Sequence, residues 1–311
     1  MKIGILQFKP GKSIRSRKLP KDIKMLKAAV KELGHIPIVI REDRCQLHYT
    51  RNQPKVLYGG KKFPQVDVII PRFNALSDVS LKATIVHQLH LQGIPVIQRY
   101  TSLVRAKNKL RTLQLLTAKN IPVPKTMVVR RFEYLDTAIK AVGDFPIIIK
   151  TPFGSLGKGV AIVETKRSLH SSFDMLLTSN DFNSLMIQEY VKESEGKDVR
   201  VFIVDGKIVA KMERDAEGRD FRSNMALGGT GKDVKLSKKE RDIARDAAKA
   251  LRLKVAGVDL LRSNHGPVVM EVNCNPGLEG ITETTGIDVA KKIVEYAVKF
   301  AEEKATKRSS Q

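Results

Sequence analysis

The stretch VVMEVNCNPG, residues 268–277, joins a buried strand to a turn and carries two polar side chains within the strand. Its valines and methionine predict a β-strand, and the Asn-Pro-Gly triplet predicts the turn that ends it. Side chains alternate between the two faces of a strand, so Glu271 and Asn273 point to the same face. A carboxylate and an amide therefore share one face of an otherwise apolar strand, beside a turn.

A second carboxylate, Asp259, lies on the preceding segment VAGVDLLRS, residues 255–263. The sequence of this segment predicts the other strand of a hairpin. Two registers are open. With Ser263 opposite Pro267, the side chain of Asp259 faces Glu271. With the strands shifted by one residue, it faces Met270. Directly opposed carboxylates repel each other and destabilise a sheet, and burial adds to the cost. A divalent cation between them would remove this conflict.

The three candidate ligands, Asp259, Glu271 and Asn273, offer only oxygen atoms, which suits Mg²⁺ or Mn²⁺. Mg²⁺ usually takes few protein ligands and completes its shell with water and phosphate oxygens, so the pattern also predicts a phosphate-bearing substrate. The alternative is that these side chains face solvent on a half-exposed sheet, where the same alternation occurs.

A glycine-rich segment, PFGSLGKGV at residues 152–160, lies between two predicted strands. Its glycines allow backbone N–H groups to close over phosphates, and its serine and lysine add donors. The residues concerned are Gly154, Ser155, Gly157, Lys158 and Gly159. Lys150 ends the preceding strand after three isoleucines, and a lysine buried there needs an anion. The alternatives are a simple turn and an edge-strand lysine whose ammonium group reaches solvent.

Charged side chains recur further along the chain. Asp198 and Arg200 share one face of the predicted strand DVRVFIV, and Arg222 and Asn224 precede a glycine pair. Arginine suits bidentate binding of phosphate or carboxylate groups. Each of these residues could equally form a surface ion pair.

Strand and helix signals alternate through the first hundred residues and predict a small sheet with parallel strands. Residues 107–119 predict one helix, and Pro122 and Pro124 mark a linker into a second unit. From residue 199 the pattern becomes mostly antiparallel, with a two-residue hairpin turn at Asp205-Gly206. The expected fold class is therefore α/β with an added antiparallel part, α+β.

The 311 residues carry 56 Lys and Arg against 33 Asp and Glu, a formal net charge of +23. Such a charge favours anionic partners such as nucleotides, polyacids or RNA, although a basic surface can also be simply solvated. No apolar run reaches the roughly 18 residues of a membrane span, and the start MKIGILQF predicts a first strand rather than a signal peptide. Cys45 and Cys274 are too few for a disulfide framework, so we expect a cytoplasmic protein.

Together these motifs resemble those of ATP-grasp ligases, and closely those of the RimK-type alpha-L-glutamate ligases. The resemblance covers nearly the whole chain. Its main segments are AKNKLRTLQLL (106–116), IIIKTPFGSLGKGV (147–160), IQEYVKE (187–193), DVRVFIV (198–204), DFRSN (220–224), VAGVDLLRS (255–263), VVMEVNCNPGLEGI (268–281) and TTGIDVA (284–290). It implies an ATP-grasp fold: a Rossmann-like pre-ATP-grasp domain at 1–100, a central lid subdomain with a Gly-rich flap at 101–190, and a C-terminal antiparallel-sheet subdomain with the metal site at 191–311.

The resemblance also implies roles for individual residues. ATP would be held by Lys109, Lys150, Gly154, Ser155, Gly157, Gly159, Glu189, Tyr190, Asp198, Arg222, Ser223 and Asn224. Within this set, Lys109 and Lys150 would contact the phosphates. Glu189 and Tyr190 would hold the adenine at an interdomain hinge, and Asp198 would take the ribose hydroxyls. Two Mg²⁺ or Mn²⁺ ions would be bound by Asp259, Glu271 and Asn273.

The implied reaction is an ATP-dependent carboxylate–amine ligation. A carboxylate attacks the γ-phosphate to give an acyl phosphate, and the amine of L-glutamate then attacks the activated carbonyl. Arg200 and Arg222 are the candidates to stabilise the tetrahedral intermediate. The implied partners are ATP, L-glutamate and an acidic peptide or ribosomal-protein C-terminus as acceptor, and members of this family are often tetramers.

Two alternatives stay open beside this interpretation. One is a ligase of the same fold for another amino acid or acceptor. The other is a basic ribosome- or RNA-binding protein with an inactive nucleotide fold, against which the intact Lys109, Lys150 and Glu271 argue. A dinucleotide-dependent oxidoreductase is excluded because the first predicted βα turn lacks GxGxxG.

Overall fold

A computed structural model of the protein describes residues 1–8, 19–51, 54–74, 79–151, 159–178, 184–194, 196–216 and 230–309. The strands are β1 (Lys2–Gln7), β2 (Ile36–Arg41), β3 (Cys45–His48), β4 (Lys55–Tyr58), β5 (Lys61–Lys62), β6 (Val68–Arg72), β7 (Thr126–Val129), β8 (Ile147–Lys150), β9 (Val160–Val163), β10 (Leu185–Glu189), β11 (Lys197–Val204), β12 (Lys207–Asp215), β13 (Thr230–Asp233), β14 (Val255–Ser263) and β15 (Gly266–Asn273). The helices are α1 (Lys21–Glu32), α2 (Val79–Leu91), α3 (Tyr100–Lys107), α4 (Lys109–Thr117), α5 (Leu135–Val142), α6 (Lys166–Thr178), α7 (Lys238–Ala250), α8 (Glu279–Thr285) and α9 (Val289–Ser309).

The N-terminal sheet has the parallel order β2-β1-β6 that the alternating pattern predicts. Its central strand is buried along nearly its whole length, as expected for a parallel strand covered on both faces. Val96 adds an isolated parallel bridge to Ile69 of β6. A small antiparallel sheet, β3-β4-β5, follows the second strand.

The central sheet has the order β7-β10-β8-β9 and is antiparallel throughout. Helix α5 packs on it through an apolar stripe formed by Leu135, Ala138, Ile139 and Val142. Together with residues of the four strands, these side chains form a hydrophobic core of their own.

The C-terminal sheet has the antiparallel order β13-β12-β11-β14-β15. One face packs against α7, which begins at the capping box that the sequence SKKE predicts: Ser237 accepts from the N–H of Glu240, and the Glu240 carboxylate accepts from the N–H of Ser237. The other face carries Phe202 and Val204 and shares a core with α1, α8 and α9. The N-terminal and C-terminal sheets are thus joined by common hydrophobic packing.

The helix predicted at residues 107–119 forms as α4 over Lys109–Thr117, and it is separate from α3 because Asn108 adopts an extended conformation between the two helices. Its Oδ1 accepts hydrogen bonds from the N–H groups of Leu110 (3.0 Å) and Arg111 (3.1 Å) and so caps α4. Asparagine competes in this way with the helical backbone. The break makes Lys109 the first residue of a helix. Within the described ranges, no helix is both long and apolar enough to cross a membrane.

Candidate functional site

The predicted site residues of β11, β14 and β15 lie on one face of the C-terminal sheet. Arg200 pairs with Asp259, and Asp259 pairs with Glu271 on the next strand. Asn273 lies two residues beyond Glu271, opposite Gly257. The three strands therefore present an arginine, two carboxylates and an amide to the same side, which we call the site face.

A β-bulge decides between the two registers that the sequence left open. At the turn, Ser263 pairs with Gly266. If this register continued unchanged along the hairpin, Asp259 would lie opposite Met270. The pairing shifts by one residue between Asp259 and Leu260, and Met270 is the extra residue. Asp259 consequently faces Glu271, and both carboxylates share the site face.

A second bulge, on β12, brings in an arginine that the sequence analysis missed. Continued from the turn, the β11–β12 register would place Asp198 opposite Glu213. The register shifts between Phe202 and Ile203, leaving Val209 as the extra residue, and Asp198 pairs with Arg214 instead. A like-charge pair is thereby replaced by an opposite-charge pair on the site face.

Four of these side chains form a buried ion-pair network. Arg200 donates through Nε and Nη2 to both oxygens of Asp259, with 2.7 Å from Nη2 to Oδ2. Arg214 donates to both oxygens of Asp198 at 2.6 Å, and its Nη2 lies 2.9 Å from Asp259 Oδ2. Asp259 is only 1% exposed and Asp198 only 3%. Burial opposes the ionisation of Asp259, but Arg200 and Arg214 outweigh it and lower the pKa of its carboxyl group.

This network bears on two of the predicted roles. Asp198, expected to bind the ribose, has both oxygens on Arg214. Asp259, expected to bind metal, has both oxygens on guanidinium groups. Glu271 is half-buried and forms no hydrogen bond or ion pair within the described part of the chain.

The oxygen donors at the end of β15 fit a hard divalent cation. The carboxylate of Glu271 is available, and among the described residues Asn273 Oδ1 accepts one hydrogen bond, from the N–H of Asn275 at 2.8 Å. The described residues contain no cluster of three or more His, Cys, Asp or Glu that could hold a metal ion. The candidate set of two carboxylates and an amide is compatible with Mg²⁺, which usually takes one or two carboxylates and completes its shell with water and phosphate oxygens.

Two lysines from other parts of the chain approach Glu271. Lys109 begins α4 and Lys150 ends β8, and both interact electrostatically with the Glu271 carboxylate. Burial, aided by the charge of Lys109 and opposed by Glu271, lowers the pKa of Lys150 to about 8. Burial likewise lowers the pKa of Lys109. Two desolvated ammonium groups beside one carboxylate form a site that favours an additional anion.

The described ends of the glycine-rich segment are held together at its base. Lys150 pairs with Val160, and the N–H of Thr151 donates to the carbonyl of Gly159 at 3.2 Å. Gly159 has φ +72°, and a Cβ there would lie 2.9 Å from Thr151 Oγ1, so only glycine fits. The predicted ATP-binding residues Gly154, Ser155, Gly157, Arg222, Ser223 and Asn224 lie outside the described residues.

Glu189 and Tyr190, predicted at the adenine, lie where β10 ends. The N–H of Glu189 donates to the carbonyl of Lys125 at 2.9 Å, and its carboxylate accepts from the N–H of Lys125 at 3.0 Å. Glu189 thereby fixes the start of β7 against the end of β10. Tyr190 follows it and is half-buried.

Arg72, which the sequence analysis also missed, connects the N-terminal sheet to the Asn-Pro-Gly turn. Its Nη2 donates to the carbonyl of Pro276 at 2.8 Å and pairs with Asp22, whose other oxygen accepts from the N–H of Leu278 at 3.3 Å. Its Nε is buried and has no hydrogen-bond partner within the described ranges. The available signal was a charged residue ending an apolar strand, the same signal that identified Lys150.

Comparison with protein-family models gives two matches that together span nearly the whole chain. Residues 106–297 match the RimK-like ATP-grasp domain, and residues 1–103 match the RimK PreATP-grasp domain. Among curated relatives, a probable alpha-L-glutamate ligase 2 of Pseudoalteromonas atlantica is 42% identical, covering 91% of this chain and 93% of its own length. A probable alpha-L-glutamate ligase of Methanococcoides burtonii is 39% identical, covering 99% and 98%.

Solved structures are similar in fold at low sequence identity. The ATP-grasp ligase PsnB, complexed with a minimal precursor, has a TM-score of 0.73 at 17% identity and covers 96% of this chain and 98% of its own. D-alanine–D-alanine ligase from Bacillus anthracis has a TM-score of 0.70 at 19% identity and covers 99% of both chains. These similarities identify the mixed α/β arrangement of sheets as the ATP-grasp fold.

Proposed function

The chain belongs to the RimK-like ATP-grasp family and is an ATP-dependent carboxylate–amine ligase that uses a divalent metal; we propose that it joins L-glutamate to a carboxylate acceptor through an acyl phosphate. The proposed amino acid follows from relatives that are named probable alpha-L-glutamate ligases and are about as long as this chain. We further propose that the acceptor is an acidic peptide or a protein C-terminus. We also propose that the site binds two metal ions, either Mg²⁺ or Mn²⁺.

The observation that carries this proposal is the meeting of Lys109, Lys150 and Glu271. They come from α4, β8 and β15, so three separate parts of the chain direct two cations and one carboxylate to one place. Burial is the main cause of the lowered pKa of both lysines, so an anion bound beside them would stabilise their charged form. ATP phosphates would supply that charge, and Lys109 and Lys150 would bind and orient them.

The remaining residues orient the reacting groups. The metal would be held by Glu271 and Asn273, together with Asp259, whose carboxylate would be shared between the metal and the guanidinium groups. When bound, the metal would neutralise charge that develops on the phosphates. Asp259 takes Nε and Nη2 of Arg200, and the Nη1 of Arg200 forms no hydrogen bond within the described residues. We assign Nη1 to the developing oxyanion of the tetrahedral intermediate, a role that Arg222 would share.

The reaction needs no nucleophilic side chain, because the acceptor carboxylate and the glutamate amine are the nucleophiles. The amine loses a proton as its nitrogen bonds to the acyl carbon, the bond from that carbon to the bridging oxygen breaks, and inorganic phosphate leaves with the oxygen and the bonding pair. We also propose that the chain divides into three parts, at residues 1–100, 101–190 and 191–311, and that four copies of it assemble as a tetramer.

The test is to incubate the protein with Mg²⁺ or Mn²⁺, ATP and L-glutamate, and to measure ADP release together with glutamate oligomers by mass spectrometry. Glu271→Ala should lose both products. Glu213→Ala, which removes a carboxylate from the opposite face of the same sheet, is the matched control and should keep both. The same assay is repeated with other amino acids in place of L-glutamate. ADP release with another amino acid but not with glutamate would overturn the assignment of substrate, and equal activity of the two variants would overturn the assignment of the site.

A further inference from the structure

A groove of about 1050 Å³ lies at the end of the C-terminal sheet where β11 ends and β14 begins. Its walls come from the end of α2, the start of α3, the β11–β12 turn, the end of α7 and the last turns of α9. Small-molecule sites span roughly 300–1,000 Å³, so this groove has room for a ligand larger than one amino acid.

The strands that reach the groove separate it from the ligase site. Asp205, in the groove, lies five residues beyond Arg200 on β11, which corresponds to about 17 Å at roughly 3.3 Å per residue. Val255 begins β14 beside the groove, and Asp259 follows four residues later, about 13 Å along the strand. A ligand in the groove therefore leaves Arg200 and Asp259 open, while Asn273, opposite Gly257, is the site-face residue nearest to the groove.

Buried hydrogen bonds fix the wall of the groove between the N-terminal and C-terminal parts. Gln98 is 1% exposed, and its side-chain amide donates to the carbonyl of Val255 at 2.7 Å and accepts from the N–H of Lys254 at 2.8 Å. Ser102 donates to the carbonyl of Arg252 at 2.9 Å. The groove is thus held in shape before any ligand binds.

The charge of the groove is positive. Its cations are Arg99, Arg245, Lys249, Arg252, Lys254 and Lys304, and its acids are Asp205 and Asp246. Asp205 is already paired with Lys254 at 2.8 Å and lies 3.7 Å from Lys299. Arg99, Lys249 and Arg252 are exposed and form no ion pair within the described ranges. These three cations are available for an anionic ligand.

The aromatic rings of the groove favour carboxylates over nucleic acid. Single-stranded nucleic acids bind through bases that stack on open aromatic faces. Here the ring of Tyr100 is stacked on His87 at 3.9 Å between centroids, and Lys304 covers the ring of Phe300 at 5.7 Å. The available recognition elements are therefore cations beside aliphatic side chains such as Val96 and Leu253.

We propose that the groove is a second binding site for an acidic peptide, whose carboxylates pair with Arg99, Lys249 and Arg252. The identity of the peptide rests on the proposed function, because glutamate addition produces such a chain. Four or five extended residues span the 13–17 Å to Asp259 and Arg200 at roughly 3.3–3.6 Å per residue. A peptide held in the groove would raise the local concentration of its terminus at the ligase site.

The test measures binding of a fluorescein-labelled decaglutamate by anisotropy, without ATP or metal, so that binding does not depend on turnover. The groove variant is Arg99→Glu/Lys249→Glu, and we expect it to weaken binding at least tenfold. The control is Lys119→Glu/Lys140→Glu, which makes the same change in charge at exposed positions outside the groove and should weaken binding less than threefold. If circular dichroism shows that the groove variant is unfolded, the milder variant Arg99→Gln/Lys249→Gln replaces it. We expect this milder variant to weaken binding about threefold or more.

Three results would overturn the proposal. They are equal losses in the groove and control variants, no binding by the wild type, and displacement of the peptide by an oligouridylate at a lower concentration than by unlabelled decaglutamate. The last result would reassign the groove to nucleic acid. A ligation assay with free glutamate as acceptor separates this proposal from the proposed function, because the groove variant should keep that activity while its KM for decaglutamate rises.

Discussion

The two faces of the C-terminal sheet each carry a network of two acids and two bases. On the site face, Asp198 and Asp259 pair with Arg200 and Arg214. On the opposite face, which we call the outer face, the members are Glu213, Glu240, Arg262 and Lys232. Strand pairing therefore allows the same combination of charges on either face, and the networks differ in their burial.

Burial separates a structural network from one that can serve chemistry. The side chains of Arg262 and Lys232 are 43% and 70% exposed, whereas those of Arg200 and Arg214 are 11% and 6% exposed. In the outer network Arg262 connects β14 to Glu240 in the capping box of α7, and water screens the two exposed bases. On the site face every charge depends on its protein partners, so the guanidinium groups hold fixed orientations.

Arg214→Met should have the largest effect, because it removes the base that the two buried carboxylates, Asp198 and Asp259, share. Breaking a buried pair by removing one partner costs about 3–5 kcal/mol. We expect a loss of that size in the free energy of unfolding, measured by urea denaturation followed by circular dichroism, together with loss of ligase activity.

The double variant Arg214→Met/Asp198→Leu is the control for this substitution. It removes an acid together with its base and should recover part of the lost stability, since an uncompensated charge is the main cost. If the double variant is no more stable than Arg214→Met, lost packing rather than unpaired charge explains the effect.

Gly257→Ala should have the next largest effect, because the site face has no space for a side chain at this position. A Cβ there would lie 2.8 Å from Pro276 Cβ and 3.2 Å from Arg200 Cδ. Overpacking of this kind costs about 1–3 kcal/mol. We expect a loss of that size in the free energy of unfolding and a lower kcat, because Arg200 and the turn after Asn273 would both move.

Gly277→Ala is the matched stability control, since no atom lies within 4 Å of a Cβ at Gly277. It should change the free energy of unfolding by less than about 0.5 kcal/mol. Equal destabilisation by the two alanines would show that the turn, and not the contact with Arg200, is the sensitive element.

The pH dependence of ATP binding should distinguish the lysines beside the site face from the cations of the outer network. Hydrogen bonds with carboxylates raise the pKa of Arg262 and Lys232, whereas burial lowers that of Lys150 to about 8. Lys150 is protonated below that pH and becomes neutral above it. The Kd for ATP should therefore rise about tenfold for each pH unit above 8, as measured by calorimetry.

Lys150→Arg is the control, because a guanidinium group stays charged throughout this range. Its affinity for ATP should be flat between pH 7 and 9. A wild-type Kd that does not change over the same range would show that Lys150 does not bind the phosphates.

Alternation along a strand is sufficient to place Glu271 and Asn273 on one face from the sequence alone, and hairpin pairing brings Asp259 opposite Glu271 in one of two registers. The pairing of Asp198 with Arg214 is beyond such reasoning, because a bulge at Val209 shifts the β11–β12 register and follows no sequence period. The bulge at Met270 likewise decides between the two registers of the β14–β15 hairpin. The contact of Arg72 with Pro276 joins residues 204 positions apart, and only the packing of the two sheets determines it. Periodicity thus predicts which residues share a face, whereas bulges and sheet packing decide which of them meet.

Arg262→Met should have the smallest effect and marks the lower end of the comparison. Exposed ion pairs contribute about 0–1 kcal/mol each, and Glu213 keeps Lys232 at 2.9 Å when Arg262 is removed. Urea denaturation should show a loss of at most about 1 kcal/mol, further reduced at 1 M salt, where the Debye length is about 3 Å. A loss as large as that of Arg214→Met would mean that Glu240, whose side chain is 5% exposed, depends on Arg262 as a buried charge depends on its partner. In that case burial of the acid, and not exposure of the base, sets the energy of such a network.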